Sequence, residues 1–156
     1  MHYEEIFKAL NRKKVRYLVT GGVAVNLYGL ARMTLDLDLL IALDQKNKTL
    51  FYDLMQELKF KVKNPDLARQ LMLEDNPPKD IKVITFYRKE FELIDVFIQN
   101  PIDFDKAFKK RKIFKSGKTA IPTIPYDLLL RMKQESGRER DLIDVGYLKK
   151  LKGIKK

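Results

Sequence analysis

Cysteine is absent, histidine occurs once, at His2, and serine occurs only at Ser116 and Ser136. Without cysteine there is no disulfide and no thiolate set for zinc or an iron–sulfur cluster. A single histidine beside the N-terminus supplies no imidazole general base, and so few serines leave a Ser–His–Asp hydrolase without its parts. Long apolar runs are missing as well. The longest, Leu39 to Leu43, is strand-sized, far short of the roughly 20 residues that span a bilayer. The N-terminus sets Glu4 and Glu5 ahead of Lys8, not the basic-then-apolar order of a signal peptide. A cytoplasmic protein with no membrane partner is the expectation. Carboxylates, basic side chains and backbone must carry the chemistry.

Charge is what the chain has in excess: 32 Lys and Arg against 21 Asp and Glu, net +11 over 156 residues. Such an imbalance favours nucleic acid, nucleotides or other anions as partners. Basic residues crowd Lys109–Lys118, where Phe108, Ile113 and Phe114 interleave them, and the tail from Lys149 onward. The tail fits a solvated end. Lys109–Lys118 fits either an amphipathic segment packing its apolar residues inward or an RNA-binding strip. With 45% hydrophobic residues, a chain of this length can bury a core, and a single domain over 1–156 is expected, with its core about 15–100 and helices about 125–152.

Helical spacing of Ile6, Phe7 and Leu10 predicts a helix over Tyr3–Lys14, and Arg16–Thr20 a short buried strand. Gly21-Gly22 interrupts, a compact helix follows over Val23–Leu30, and Met33–Leu43 predicts a second strand. Further helices are expected over Lys46–Phe60 and Asp66–Glu74, the latter stopping before Pro77-Pro78. Ile81–Tyr87 and Phe91–Ile98 predict a hairpin about Arg88-Lys89-Glu90. A short helix over Asp103–Lys110, an extended piece bracketed by Pro122 and Pro125, and helices over Tyr126–Gln134 and Arg140–Leu151 complete the chain. The order predicts a mixed sheet flanked by helices, an α+β or α/β domain.

Within that order, Asp36 and Asp38 alternate with Leu35, Leu37 and Leu39, so both acids point to one face of a strand. Two adjacent carboxylates in an apolar strand repel and lose hydration unless cations or donors compensate. Asp95, flanked by Leu93, Ile94, Val96 and Phe97, is a third acid in the same predicament. If its strand lies beside the first, three carboxylates converge, a hard-oxygen set suited to Mg²⁺ or Mn²⁺. Two such ions would activate an attacking hydroxyl and stabilise departing pyrophosphate. Glu92 falls on the opposite face by parity. Gly21-Gly22, where strand meets helix, lets phosphate oxygens approach backbone amides.

The glycine pair, the Asp-x-Asp strand and the later lone Asp together resemble the nucleotidyltransferase superfamily related to DNA polymerase beta. Gly21-Gly22-Val23-Ala24-Val25-Asn26-Leu27 and Arg32-Met33-Thr34-Leu35-Asp36-Leu37-Asp38 are most similar to its minimal bacterial and archaeal members, including abortive-infection nucleotidyltransferase toxins. Lys133 through Asp144 resembles their closing Lys…Arg-Asp-x-x-Asp segment, whereas Leu43–Lys82 matches nothing specific. The resemblance implies that Asp36 and Asp38 ligate two metal ions, and that Asp95 ligates one and helps activate the acceptor. It implies that Gly21 and Gly22 contact the triphosphate of an NTP. The superfamily often carries serine where Gly22 stands, so that hydroxyl contact is absent or replaced by backbone. Arg32 and Thr34, just ahead of the acids, are further candidates for the nucleotide side of the site, Arg32 either balancing phosphate charge or forming a structural ion pair. Lys133 is either a triphosphate ligand or a helix-surface lysine. Arg140 and Asp144, at i,i+4, are placed to pair on one helix face, and Arg138 and Asp141 join them in bracing the last helix.

The expected activity is metal-dependent transfer of NMP from an NTP to an acceptor, with release of pyrophosphate. Net charge favours RNA as that acceptor, a tRNA 3′ end among the toxin-like relatives. A protein or small-molecule acceptor, or a partner chain completing so short a domain, also fits. The rival readings are a non-catalytic nucleotide- or RNA-binding module or toxin–antitoxin partner of the same fold, and a plain basic RNA-binding domain.

Overall fold

The computed structural model describes residues 2–74 and 80–154, so Pro77-Pro78 and the last two lysines lie outside the described residues. Helix α1 (Glu4–Arg12) has acids in its first turn and Arg12 in its last, as the helix dipole favours, and buries Ile6, Phe7 and Leu10. Strand β1 (Tyr17–Thr20) is buried throughout and runs straight into α2 (Gly21–Leu27). The glycine pair therefore forms the first turn of α2 instead of preceding it. Strand β2 (Asp36–Ile41) is shorter than the expected Met33–Leu43, because residues 31–35 approach it as an irregular segment with Met33 fully out in solvent.

Helices α3 (Gln45–Glu57) and α4 (Pro65–Leu73) flank the two-residue strand β3 (Lys61–Val62). Each starts on a side-chain cap: Asp44 accepts from the Asn47 amide, and Asn64 accepts from the Leu67 amide ahead of Pro65. The expected hairpin forms as β4 (Val83–Arg88) and β5 (Glu92–Phe97). After α5 (Phe104–Lys109), strands β6 (Lys112–Ser116) and β7 (Thr119–Thr123) make a second hairpin. This hairpin places most of the basic segment Lys109–Lys118 on an edge strand, with Phe108 and Phe114 packed against the core and Ile113 exposed. Lysine-rich edges of this kind resist unwanted strand pairing. Helices α6 (Tyr126–Ser136) and α7 (Glu139–Ile154) close the chain, with left-handed Gly137 ending α6.

The seven strands form one mixed sheet in the order β3-β4-β5-β2-β1-β7-β6, an α+β arrangement as expected. The acid-bearing β2 is the middle strand. It pairs antiparallel with β1 and parallel with β5. Buried Asn47 locks the β1–β2 end by accepting from the Arg16 amide and donating to the Arg16 and Ala42 carbonyls. No helix among the described residues is long and apolar enough to cross a membrane.

Candidate active site

In β2 burial alternates from Asp36 to Leu39: Leu37 and Leu39 are fully buried on one face, and Asp36 and Asp38 stand half-buried on the other. In β5 the parity is matched. Ile94 and Val96 are buried, while Asp95 faces the same way as the β2 acids. Glu92, on the opposite face, bonds Arg88 at 2.7 Å, a structural pair as parity requires.

Register then decides the meeting. Asp38 lies directly beside Asp95 across the parallel pair, Thr20 lies opposite Asp38, and Thr85 lies opposite Asp95. One polar row thus crosses four adjacent strands, and the Thr85 hydroxyl donates to Asp95. Asp36, one pleat away, is close enough to Asp95 for their carboxyl groups to share a hydrogen bond.

Electrostatics follow from this crowding. Burial, then the Asp95 and Asp36 charges, push Asp38 up to about 7, against weaker pulls from Lys133 and Arg138. Burial and Asp95 also raise Asp36, with Arg140 opposing them. Carboxylates held this way favour either a proton or a cation. Among the described residues no three ligating side chains are already gathered to hold a metal ion. The donor set nonetheless fits a divalent cation: three hard oxygen donors on neighbouring strands about 5 Å apart, each short of positive charge.

The three acids open onto a cavity of about 570 Å³ lined also by Gly21, Gly22, Arg32, Thr34, Lys133 and Arg140. Every residue singled out in the sequence for nucleotide or metal therefore reaches one concavity. Gly21, at φ +66°, has no room for a side chain, because a Cβ would fall 2.0 Å from Asp38 Oδ2. A Cβ on Gly22 would meet Thr34 Oγ1 at 2.6 Å. The place where the resembling superfamily often carries a serine side chain is here filled by the Thr34 hydroxyl.

The basic residues divide. Lys133 is buried and bonded to Asp141 at 3.1 Å and Asp144 at 3.0 Å, and Arg32 also pairs with Asp144. Arg138 pairs with Asp141 at 2.9 Å. The expected Arg140–Asp144 pair is absent among the described residues; Asp144 turns to Lys133 and Arg32, which leaves Arg140 facing the acids without an ion pair. Sequence reasoning had given Arg140 only a bracing role. It also missed Thr85, and Tyr3, whose hydroxyl bonds the Leu35 carbonyl and accepts the Leu93 amide at 3.2 Å, tying β2 to β5 just ahead of the acids. Nothing in a lone Tyr at a helix start signals such a clamp.

No protein-family model and no curated protein matches the sequence. Solved structures do match by fold. The lincosamide antibiotic adenylyltransferase LnuA, in its lincomycin-bound crystal structure, is 18% identical with a TM-score of 0.65, covering 96% of both chains. An antigenic nucleotidyltransferase-like protein from Paracoccidioides brasiliensis is 18% identical with a TM-score of 0.64, over 95% of this chain and 73% of its own. A protein from Thermotoga maritima assigned as a nucleotidyltransferase is 15% identical with a TM-score of 0.60, over 96% of this chain and 89% of its own. The fold is that of nucleotidyltransferases.

Proposed function

We propose that this protein transfers a nucleoside monophosphate from an NTP to an acceptor hydroxyl, and that Asp36, Asp38 and Asp95 are its catalytic side chains. The observation that carries this reading is the shared cavity: three carboxylates from two paired strands beside a glycine turn with no room for a side chain. The three aspartates would hold two Mg²⁺ or Mn²⁺ ions, which supply charge neutralisation for the phosphates. Backbone amides at Gly21 and Gly22 and the Thr34 hydroxyl would approach the triphosphate, with Arg140 as its free cationic partner and Lys133 and Arg32 adding charge from their ion pairs. Asp95 would take the proton of the acceptor hydroxyl as that oxygen bonds to the α-phosphorus. The bond from that phosphorus to the bridging oxygen breaks, and pyrophosphate leaves. Positioning and charge neutralisation account for the catalysis.

RNA is the acceptor favoured by the +11 charge. A second reading, a small-molecule acceptor, draws on the lincosamide adenylyltransferase, which matches over nearly its full length. Each α-labelled NTP is incubated with Mg²⁺ or Mn²⁺ and either an RNA pool or a lincosamide, beside an Asp36→Asn/Asp38→Asn variant. Label entering RNA, and lost by roughly a thousandfold in the variant, is expected. Label entering the lincosamide alone replaces RNA with the small acceptor. Metal-dependent NTP binding with no transfer to any acceptor overturns the enzyme in favour of a binding module.

A further inference from the structure

A second cavity, of about 500 Å³, lies at the far end of the helices that build the active site. Its walls include the aromatic rings of Tyr28, Phe114 and Tyr126, packed edge to face at 5.0 and 5.6 Å about Tyr28. Its rim carries Lys110, Arg111, Lys112 and Lys152, and no carboxylate is among the lining residues. The Lys152 ammonium sits 4.3 Å from the Tyr126 ring centroid, and Lys112 5.8 Å from that of Phe114. Rings partly open to a ligand and edged by exposed cations are the composition that stacks bases and tracks phosphates in single-stranded nucleic acid.

Three helices connect the two cavities. Helix α2 leads from Gly21 to Tyr28, α6 from Tyr126 to Lys133, and α7 from Asp141 to Leu148. Each pair is two helical turns apart, about 10 Å, and on one helix side. A shallower depression lined by Arg32, Arg140, Asp144 and the half-exposed Tyr147 shares its arginines with the acid cavity, Asp144 being already paired with Arg32 and Lys133.

We infer that the aromatic cavity between the β6–β7 hairpin and helix α7 is a base-stacking subsite for a single-stranded RNA acceptor. The strand runs past Arg32, Arg140 and Tyr147 to the acids. The inference deepens the transfer reading, but binding without nucleotide tests it separately.

The test uses a fluorescent single-stranded RNA of about eight nucleotides, titrated by anisotropy without NTP. Lys112→Glu/Lys152→Glu should weaken binding at least tenfold and make the salt dependence shallower by about 1.4 in log–log slope, for two lost phosphate contacts. Phe114→Leu should weaken it about tenfold through lost stacking, with thermal melts checking that each variant is folded. A control reversal of equal charge, Lys46→Glu/Lys63→Glu on exposed sites away from the groove, should cost much less. Equal losses in the control and groove variants, duplex RNA binding as tightly as the single strand, or no RNA binding by the native protein would each overturn the subsite. If binding responds as expected but no label is ever transferred, the subsite stands and the transfer reading falls.

Discussion

Gly22 and Thr34 occupy one another's space, and that exchange can be measured. A serine at 22 would bring its Cβ to 2.6 Å from Thr34 Oγ1 and 2.9 Å from Thr34 Cβ. Real contacts do not reach such distances, so Gly22→Ser alone should cost about 1–3 kcal/mol of stability as overpacking. Thr34→Gly removes both offending atoms. The double variant Gly22→Ser/Thr34→Gly should recover most of that loss, a coupling visible in a double-mutant cycle of urea melts. If the Thr34 hydroxyl stands in for the serine, the double variant should also keep more transfer activity than Thr34→Gly alone. Additive losses would show that the two residues are independent. At this scale the sequence was legible wherever a residue type was out of place. Asp36, Asp38 and Asp95 stood out because acids in apolar strands need compensation. Thr85 did not, because a threonine fits a strand or loop anywhere and only register places it opposite Asp95; Thr34 was singled out only by its place just ahead of the acids.

Helices α6 and α7 are joined by a buried cluster of charges. Lys133 projects from α6 to Asp141 and Asp144 of α7, and Asp144 continues to Arg32 in the segment leading to β2. This clasp fixes the closing helices to the rim of the cavity that the three acids open onto. Removing the lysine alone leaves two buried carboxylates with less compensation, so Lys133→Met should destabilise the protein by about 3–5 kcal/mol. Lys133→Met/Asp141→Asn should regain part of that loss, because a neutral residue at 141 needs no counter-charge while Asp144 keeps Arg32. Urea melts of both variants check this, and a Lys133→Met protein of unchanged stability would show that the clasp contributes nothing. The ordering of helices was legible from spacing, but these pairings were not. Parity along a helix offered Arg140 to Asp144, whereas α6 lies close enough for a lysine to reach Asp144. The β6–β7 hairpin escaped for a related reason. On an edge strand charged residues appear on both faces, so Lys109–Lys118 shows no period of two. The usable signal was Gly117, at φ +59° in a two-residue turn between Ser116 and Thr119.

For the molecule as a whole, the acid row in the middle of the sheet should link stability to pH and, under the proposed transfer reading, to divalent cations. Asp38 is raised from 3.8 to about 7 by burial and then by its acidic neighbours. Between those values the folded protein keeps a proton that the unfolded chain has released, so stability falls as pH rises through the window. Above about 7 the full penalty applies, up to a few kcal/mol. A cation among the carboxylates favours the charged form and offsets that penalty. In the absence of divalent ions, the melting temperature should therefore fall from about pH 5 to about pH 8. Millimolar Mg²⁺ should raise it by several degrees at the upper pH and hardly at all at the lower, as expected for a ligand that binds the folded state alone. Asp38→Asn removes the titrating group, so its melting temperature should vary less with pH and respond less to Mg²⁺. Equal stabilisation by Mg²⁺ at both pH values, or a full response retained in Asp38→Asn, would place the cation somewhere other than this row. In that event the carboxylates at the centre of the sheet would not be the seat of metal-dependent transfer.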